Sequence, residues 1–143
     1  GGLPFIGLSN TVNSPLFNIV TDTHFVERDR MGRLIALTGR AAGRPTSGLG
    51  VDSDTAILVE PLANDWNWTV FGRGDAYFIS PDASVATETY DARGRLNYSL
   101  VNVVRLDNGS SQRLSAIRRA TPTYQISVSH GTVFSKGNGG DLY

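Results

Sequence analysis

Short apolar segments separated by polar turns predict a chain that is mostly β-strand. Residues 19–21 form a short run of β-branched side chains, as expected of a buried strand, and the polar residues 22–24 follow at its end. The same reasoning predicts strands at 48–52, 55–59, 68–71, 76–79, 98–106, 114–117 and 124–134. Residues 72–75 contain two glycines between two of these segments and predict a hairpin turn.

One segment has helical rather than strand periodicity. Residues 27–42 place apolar side chains at the i, i+3 and i+4 spacing of a helix, namely Met31, Leu34, Ile35 and Leu37. The Gly-Arg-Pro sequence at 43–45 is expected to end this helix, and residues 1–18 are expected to form an irregular loop. Residues 1–60 are therefore predicted to be α/β and residues 61–143 to be β-rich.

Composition excludes several kinds of function. The 143 residues carry 13 basic and 13 acidic side chains, so no net field favours nucleic acid or an anionic membrane. No apolar run approaches the roughly 18 residues that a membrane span requires. With no cysteine and only two histidines, we expect neither a metal site nor a cofactor.

The most informative chemistry lies just after the first strand. His24 stands at the predicted strand end, and Arg28, Arg30 and Arg33 follow it. Arginine suits bidentate carboxylate binding, and the start of the helix adds partial positive charge, so the segment predicts a carboxylate pocket beside an imidazole. The alternative is a structural histidine next to a solvated helix face.

The residues also match a known pattern. Residues 22–34 read DTHFVERDRMGRL, which resembles the D-Q/T-H-F-x-x-R-x-R-x-G-R-L signature of cyanophycinases and related serine peptidases. Residues 48–56 read GLGVDSDTA and resemble the G-x-G-x-D-E-x-T-A motif of that family. Residues 71–77 look like its glycine-containing hairpin.

The resemblance implies a flavodoxin-like sandwich, related to dipeptidase E and class I glutamine amidotransferase-like folds, with a β-rich C-terminal region. It implies that His24 is the general base and that Ser53 occupies the position of the acidic residue that orients it. It places five residues in the substrate pocket: Asp22, Thr23, Arg28, Arg30 and Arg33.

Three departures shape this expectation. The nucleophile motif G-T-S-A-G does not occur, so the nucleophilic serine is expected on an N-terminal portion of the same precursor that is absent from this chain. Ser53 replaces a glutamate and brings no charge, although Asp52 or Asp54 could substitute after a small backbone change. Thr23 stands where cyanophycinases proper have glutamine, which leaves the β-aspartyl-arginine specificity open.

We therefore expect residues 1–143 to be the C-terminal portion of one peptidase domain. It would hydrolyse peptide or isopeptide bonds next to aspartyl-type residues, and would be active only with the upstream segment. The expected partners are that segment, a peptide substrate and possible further copies of the protein, with no nucleic acid and no membrane.

The alternative function is a non-catalytic, secreted glycoprotein binding module descended from such a peptidase. Three N-x-S/T triplets, at Asn67, Asn97 and Asn108, predict glycosylation and an extracellular location under either function.

Overall fold

The structure, a computed structural model of the chain, describes residues 14–40, 46–82 and 88–143. This part is a mixed α/β structure in which sheet predominates. Its elements are β1 Ile19–Thr23, α1 Met31–Arg40, β2 Ser47–Val51, β3 Thr55–Pro61, β4 Trp66–Gly72, β5 Ala76–Pro81, β6 Glu88–Tyr90, β7 Leu96–Leu106, β8 Ser111–Arg113, α2 Leu114–Arg119, β9 Tyr124–Ser129 and β10 Thr132–Lys136.

The strands form two sheets. The larger has the order β1-β2-β5-β7-β9-β10, with β6 also pairing with β7, and the smaller has the order β3-β4-β8. Among the described strands, β1 and β2 are the one parallel pair. The mixed α/β class is thus confirmed, with sheet predominating, whereas the flavodoxin-like arrangement is not established. Because β2 pairs with β5, residues on both sides of position 60 share one sheet.

The larger sheet separates two hydrophobic cores. Alternate residues of β5 point to opposite faces: Tyr77 and Ile79 join α1, whereas Ala76 and Phe78 join the smaller sheet and α2. The helix contributes Met31, Leu34 and Ile35 to the first core, all fully buried. The helical face predicted from their spacing is therefore the face that packs on the sheet.

Two glycines of β2 allow the helix and the preceding turn to lie close to the sheet. A Cβ at Gly48 would stand 2.8 Å from Leu34 Cγ, and one at Gly50 would stand 2.4 Å from Phe25 Cγ. Both distances are shorter than carbon atoms tolerate, so the G-x-G spacing of this strand is a packing requirement. It fixes the position of Phe25, the residue that follows His24.

The prediction of a strand at 114–117 was wrong, because this segment begins helix α2. Leu114 and Ile117 are buried at a spacing of three residues, which puts both on one face of a helix but would put them on opposite faces of a strand. The Asp65 carboxylate stabilises the start of the helix. It accepts hydrogen bonds from the Ser115 hydroxyl, at 2.5 Å, and from the Ser115 amide.

The predicted hairpin at 72–75 was also wrong. Strand β4 pairs with β3 and β8, whereas β5 pairs with β2 and β7, so the intervening residues pass from one sheet to the other. The Asp52 carboxylate accepts a hydrogen bond from the Asp75 amide at 3.1 Å. A Cβ at Gly74 would meet the Asp52 side chain at 2.5 Å. The crossing therefore packs on the β2–β3 turn instead of closing a hairpin.

Two element boundaries also differ from those predicted. The segment 124–134 is a hairpin, since Ser129 pairs with Thr132 and the turn residues His130 and Gly131 have φ of 50° and 80°. Helix α1 begins at Met31 rather than 27, because Asp29 has a left-handed φ of 47°. The predicted stop at 43–45 and most of the 1–18 loop lie outside the described residues.

Candidate functional site

The candidate site is built on the turn that connects β1 to α1. His24 follows directly after β1 and has a left-handed φ of 53°. Its backbone oxygen accepts a hydrogen bond from Arg28 N at 3.2 Å, which closes the turn. Phe25 is fully buried against Tyr77, with ring centroids 5.5 Å apart. Because Phe25 anchors the turn, the neighbouring imidazole is held at the surface, where 49% of its side chain is exposed.

Two side chains converge on one nitrogen of this imidazole. His24 Nδ1 lies 2.8 Å from Ser53 Oγ and 3.1 Å from Glu27 Oε2. The Ser53 hydroxyl also donates a hydrogen bond to Glu27 Oε2. Ser53 therefore lies within hydrogen-bonding distance of His24, and sequence reasoning missed Glu27. Its signal was the three-residue spacing from His24 within a turn.

The hydrogen-bond inventory of the three groups assigns the imidazole tautomer. An ionised carboxylate only accepts, and the Ser53 proton is directed at Glu27, so the proton between His24 and these two groups belongs to Nδ1. Nε2 then carries the lone pair of the neutral ring. It makes no hydrogen bond to the part of the chain that the structure describes.

The same contacts change the pKa of Glu27. Hydrogen bonds from Ser53 and then His24 lower the pKa of Glu27 below its ordinary value. The stabilisation from these bonds is present above the ordinary glutamate pKa and is lost as pH falls through the lowered one. Glu27 thus remains ionised throughout the pH range in which a neutral imidazole acts as a base.

A second cluster surrounds Asp22, two residues before His24. Asp22 is 1% exposed, and its Oδ1 accepts a hydrogen bond from Arg30 Nη1 at 2.6 Å. Arg33 Nε lies 3.4 Å from the other carboxylate oxygen. Arg30 Nη1 also donates to the backbone oxygen of Thr23 at 3.0 Å. Three of the residues assigned to the substrate pocket are therefore engaged with one another, and their contacts fix the end of β1.

Arg28 differs from the other two arginines. It is exposed, and its guanidinium makes no hydrogen bond or short ion pair to the described residues. Its backbone position places it one residue after Glu27, and its charge favours the ionised form of that carboxylate. Arg28 and Arg33, whose side chain is 40% exposed, are therefore the arginines of this segment that solvent reaches most readily.

The two aspartates that could substitute for an acid at position 53, Asp52 and Asp54, make contacts with other parts of the chain. Asp52 accepts hydrogen bonds from Val26 N at 3.2 Å and from Asp75 N, so it joins the two turns and the sheet crossing. Asp54 is exposed with a φ of 52°, and its backbone oxygen accepts from Arg73 N at 3.1 Å. Of the three acidic candidates around His24, Glu27 is the one that reaches the ring.

Tyr143 packs against the turn that carries His24. Its hydroxyl accepts a hydrogen bond from Met31 N, at the start of α1, and donates one to Asp29 Oδ1 at 2.8 Å. Its ring packs edge-on against Phe25 at 5.6 Å. Burial raises the pKa of this phenol well above its ordinary value, so the hydroxyl remains protonated. The last described residue thus joins the helix start to the histidine-bearing turn.

Of the three predicted glycosylation positions, Asn108 is exposed and Asn67 and Asn97 are partly buried, and the side-chain amide makes different contacts at each. Asn67 Nδ2 donates to Ser111 Oγ at 2.9 Å, and Asn108 Nδ2 donates to the Gly72 oxygen. Asn97 uses Oδ1 to accept from His130 N. Glycosylation at these positions stays a prediction.

A cavity of about 550 Å³ occurs elsewhere in the molecule, and its lining contains no residue of the predicted site. It is lined by Ser14, Phe17, Leu62, Ala63, Asn64, Asp65, Trp66, Leu114 and Arg118. Within the described ranges, His, Asp and Glu side chains form no group of three that could hold a metal ion. The helices described there are all too short or too polar to cross a membrane.

Comparison with protein-family models, with curated proteins and with solved structures gave no match to this chain. The resemblance to cyanophycinase-like peptidases consequently rests on the two quoted motifs.

Proposed function

We propose that this chain is the histidine-bearing part of a serine-type hydrolase whose nucleophile is supplied by an upstream segment of the same precursor. The observation that carries the proposal is the arrangement around His24. Nδ1 is bound by a hydroxyl and a carboxylate, while Nε2 faces away from them and has no partner among the described residues. A general base in a Ser-His-acid arrangement requires this division between its two nitrogens.

In this mechanism His24 Nε2 takes the proton of the nucleophilic hydroxyl and later returns it to the leaving amine. The positive charge that develops on the ring is shared with the groups at Nδ1. The exposed edge of the imidazole leaves room for the second segment to approach.

The proposed substrate is a peptide or isopeptide with an aspartyl-type carboxylate. Arg28 is exposed and lies on the same turn as His24, so its guanidinium supports carboxylate recognition beside the reacting bond. Arg33 is half-exposed and can add to the positive field, whereas Arg30 contributes mainly by holding Asp22.

The test is a matched pair of histidine substitutions in the complete protein, with the nucleophile-bearing segment present. His24 and His130 both have left-handed φ, of 53° and 50°, so asparagine is the appropriate replacement at both. His24→Asn is expected to lower kcat/KM for aspartyl peptides by about 10² to 10⁴. His130→Asn should leave it unchanged.

Retention of more than about a tenth of the activity by His24→Asn would contradict a general-base role, which ordinarily contributes at least a hundredfold. Co-purification of the chain with a segment that carries a G-x-S-x-G nucleophile turn would support the proposal.

A further inference from the structure

The charge that the Ser-His-acid arrangement requires does not come from position 53, where the resemblance would place it. Ser53 is a neutral hydroxyl, and Asp52 and Asp54 make other contacts. Nevertheless a carboxylate lies 3.1 Å from His24 Nδ1, on the turn that carries the histidine itself.

We propose that Glu27 is the positioning residue of His24, with the Ser53 hydroxyl as a link between the two. This inference rests on the proposed function and adds to it the origin of the orienting charge. Glu27 accepts hydrogen bonds from both partners, so one carboxylate fixes the imidazole tautomer and the hydroxyl rotamer together. The orienting carboxylate therefore lies on the turn between β1 and α1, whereas the resemblance would place it on the β2–β3 turn.

The geometry argues against Ser53 as the nucleophile. A nucleophilic hydroxyl must face the ring nitrogen that carries the lone pair, while the acid holds the opposite nitrogen. Here Ser53 and Glu27 share Nδ1, and the Ser53 proton is already directed to the carboxylate. Ser53 therefore belongs to the orienting side of the ring.

The first arm of the test is spectroscopic and uses the chain without any assay of activity. In ¹⁵N-labelled wild type at a pH where the ring is neutral, the nitrogen shifts of His24 should report an Nδ1–H tautomer. Glu27→Ala should increase the Nε2–H population, and Glu60→Ala, which removes an exposed glutamate from β3, should not. An unchanged tautomer ratio in Glu27→Ala would overturn the inference whether or not the protein is a hydrolase.

The second arm moves the acid between the two turns in the complete protein. Glu27→Gln is expected to lower kcat on the order of 10²-fold with little change in KM, because the developing imidazolium loses its counter-charge. The double variant Glu27→Gln/Ser53→Glu restores a carboxylate at the β2–β3 turn and should recover at least about a tenth of wild-type kcat. Glu60→Gln is the charge-matched control.

Each result of the second arm has one interpretation. Wild-type kcat in Glu27→Gln, alongside an inactive His24→Asn, overturns the inference and leaves the proposed function intact. Ser53→Ala should lose on the order of tenfold, the lower end of what one hydrogen bond to a charged group contributes. A loss as large as that of His24→Asn would make Ser53 the nucleophile and overturn the inference. If His24→Asn remains active, the proposed function fails, and the tautomer measurement alone decides the inference.

Discussion

Two clusters of charged and polar side chains lie at the end of β1, one around Asp22 and one around His24, two residues further along, and they differ in burial. Asp22 is 1% exposed, and both of its oxygens face arginines. The side chains of His24 and Glu27 are 49% and 62% exposed, and Nε2 has no partner within the described chain. Buried charges must be paired, so the first cluster supports the fold, whereas the second retains groups that can meet a ligand.

The comparison also separates the three arginines that the sequence presents as one set. Arg30 donates hydrogen bonds to Asp22 and to the Thr23 backbone. Arg33 lies close to Asp22 but is partly exposed to solvent, and Arg28 is exposed. Equal charge and close spacing therefore do not imply an equal role. The following predictions test this division, beginning with the buried cluster.

The largest expected effect is on the buried carboxylate. Asp22→Asn leaves Arg30, whose side chain is 14% exposed, without its charge partner, so the free energy of unfolding should fall by about 3 kcal/mol. Urea denaturation of the chain measures this. Asp54→Asn is the matched control, since Asp54 is exposed and asparagine tolerates its φ of 52°. Equal stability of the two variants would place Asp22 among the solvated charges.

An intermediate effect is expected where the histidine-bearing turn packs on the sheet. Gly50→Ala puts a Cβ against the fully buried Phe25 ring and should cost about 2 kcal/mol by overpacking. Gly32→Ala meets only Val133 Cγ2, at 3.1 Å, and gains helix propensity, so its stability should stay within about 1 kcal/mol of wild type. A wild-type melting temperature for Gly50→Ala would show that Phe25 does not anchor the turn.

The smallest effects on stability should distinguish the arginines. Arg30→Lys loses the planar guanidinium whose Nη1 donates both to Asp22 Oδ1 and to the Thr23 backbone oxygen, and should cost about 1 kcal/mol. Arg28→Lys should stay within about 0.5 kcal/mol of wild type, as an exposed substitution does. Their effects on substrate should be reversed: Arg28→Lys raises KM for an aspartyl peptide, and Arg30→Lys changes it less.

The measurement is kcat/KM for an aspartyl peptide and its asparaginyl counterpart in the complete protein. Neutral peptides of the same length should be poor substrates and respond little to Arg28→Lys. Equal use of both peptides by wild type would remove the carboxylate pocket and leave Arg28 on a solvated face.

The sequence alone determined the local features whose causes are local. The β-branched residues of β1 and the helical spacing of Met31, Leu34 and Ile35 place their elements correctly, because burial on one face imposes a period that can be read directly. The polar residues after β1 likewise marked His24 and its arginines, since a strand end next to a helix start is where side chains can converge.

Only the tertiary structure decided which of these groups face each other. The sheet crossing at 72–75, the helix at Leu114 and the distribution of the arginines all depend on contacts between residues far apart in the chain. Glu27 shows this most clearly: it stands three residues from His24, yet its role follows from Ser53, 26 residues away, which approaches through the β2–β3 turn. The sequence gives the chemistry of each side chain. Which side chains meet depends on how the two turns pack on the sheet, and spacing along the chain does not predict that packing.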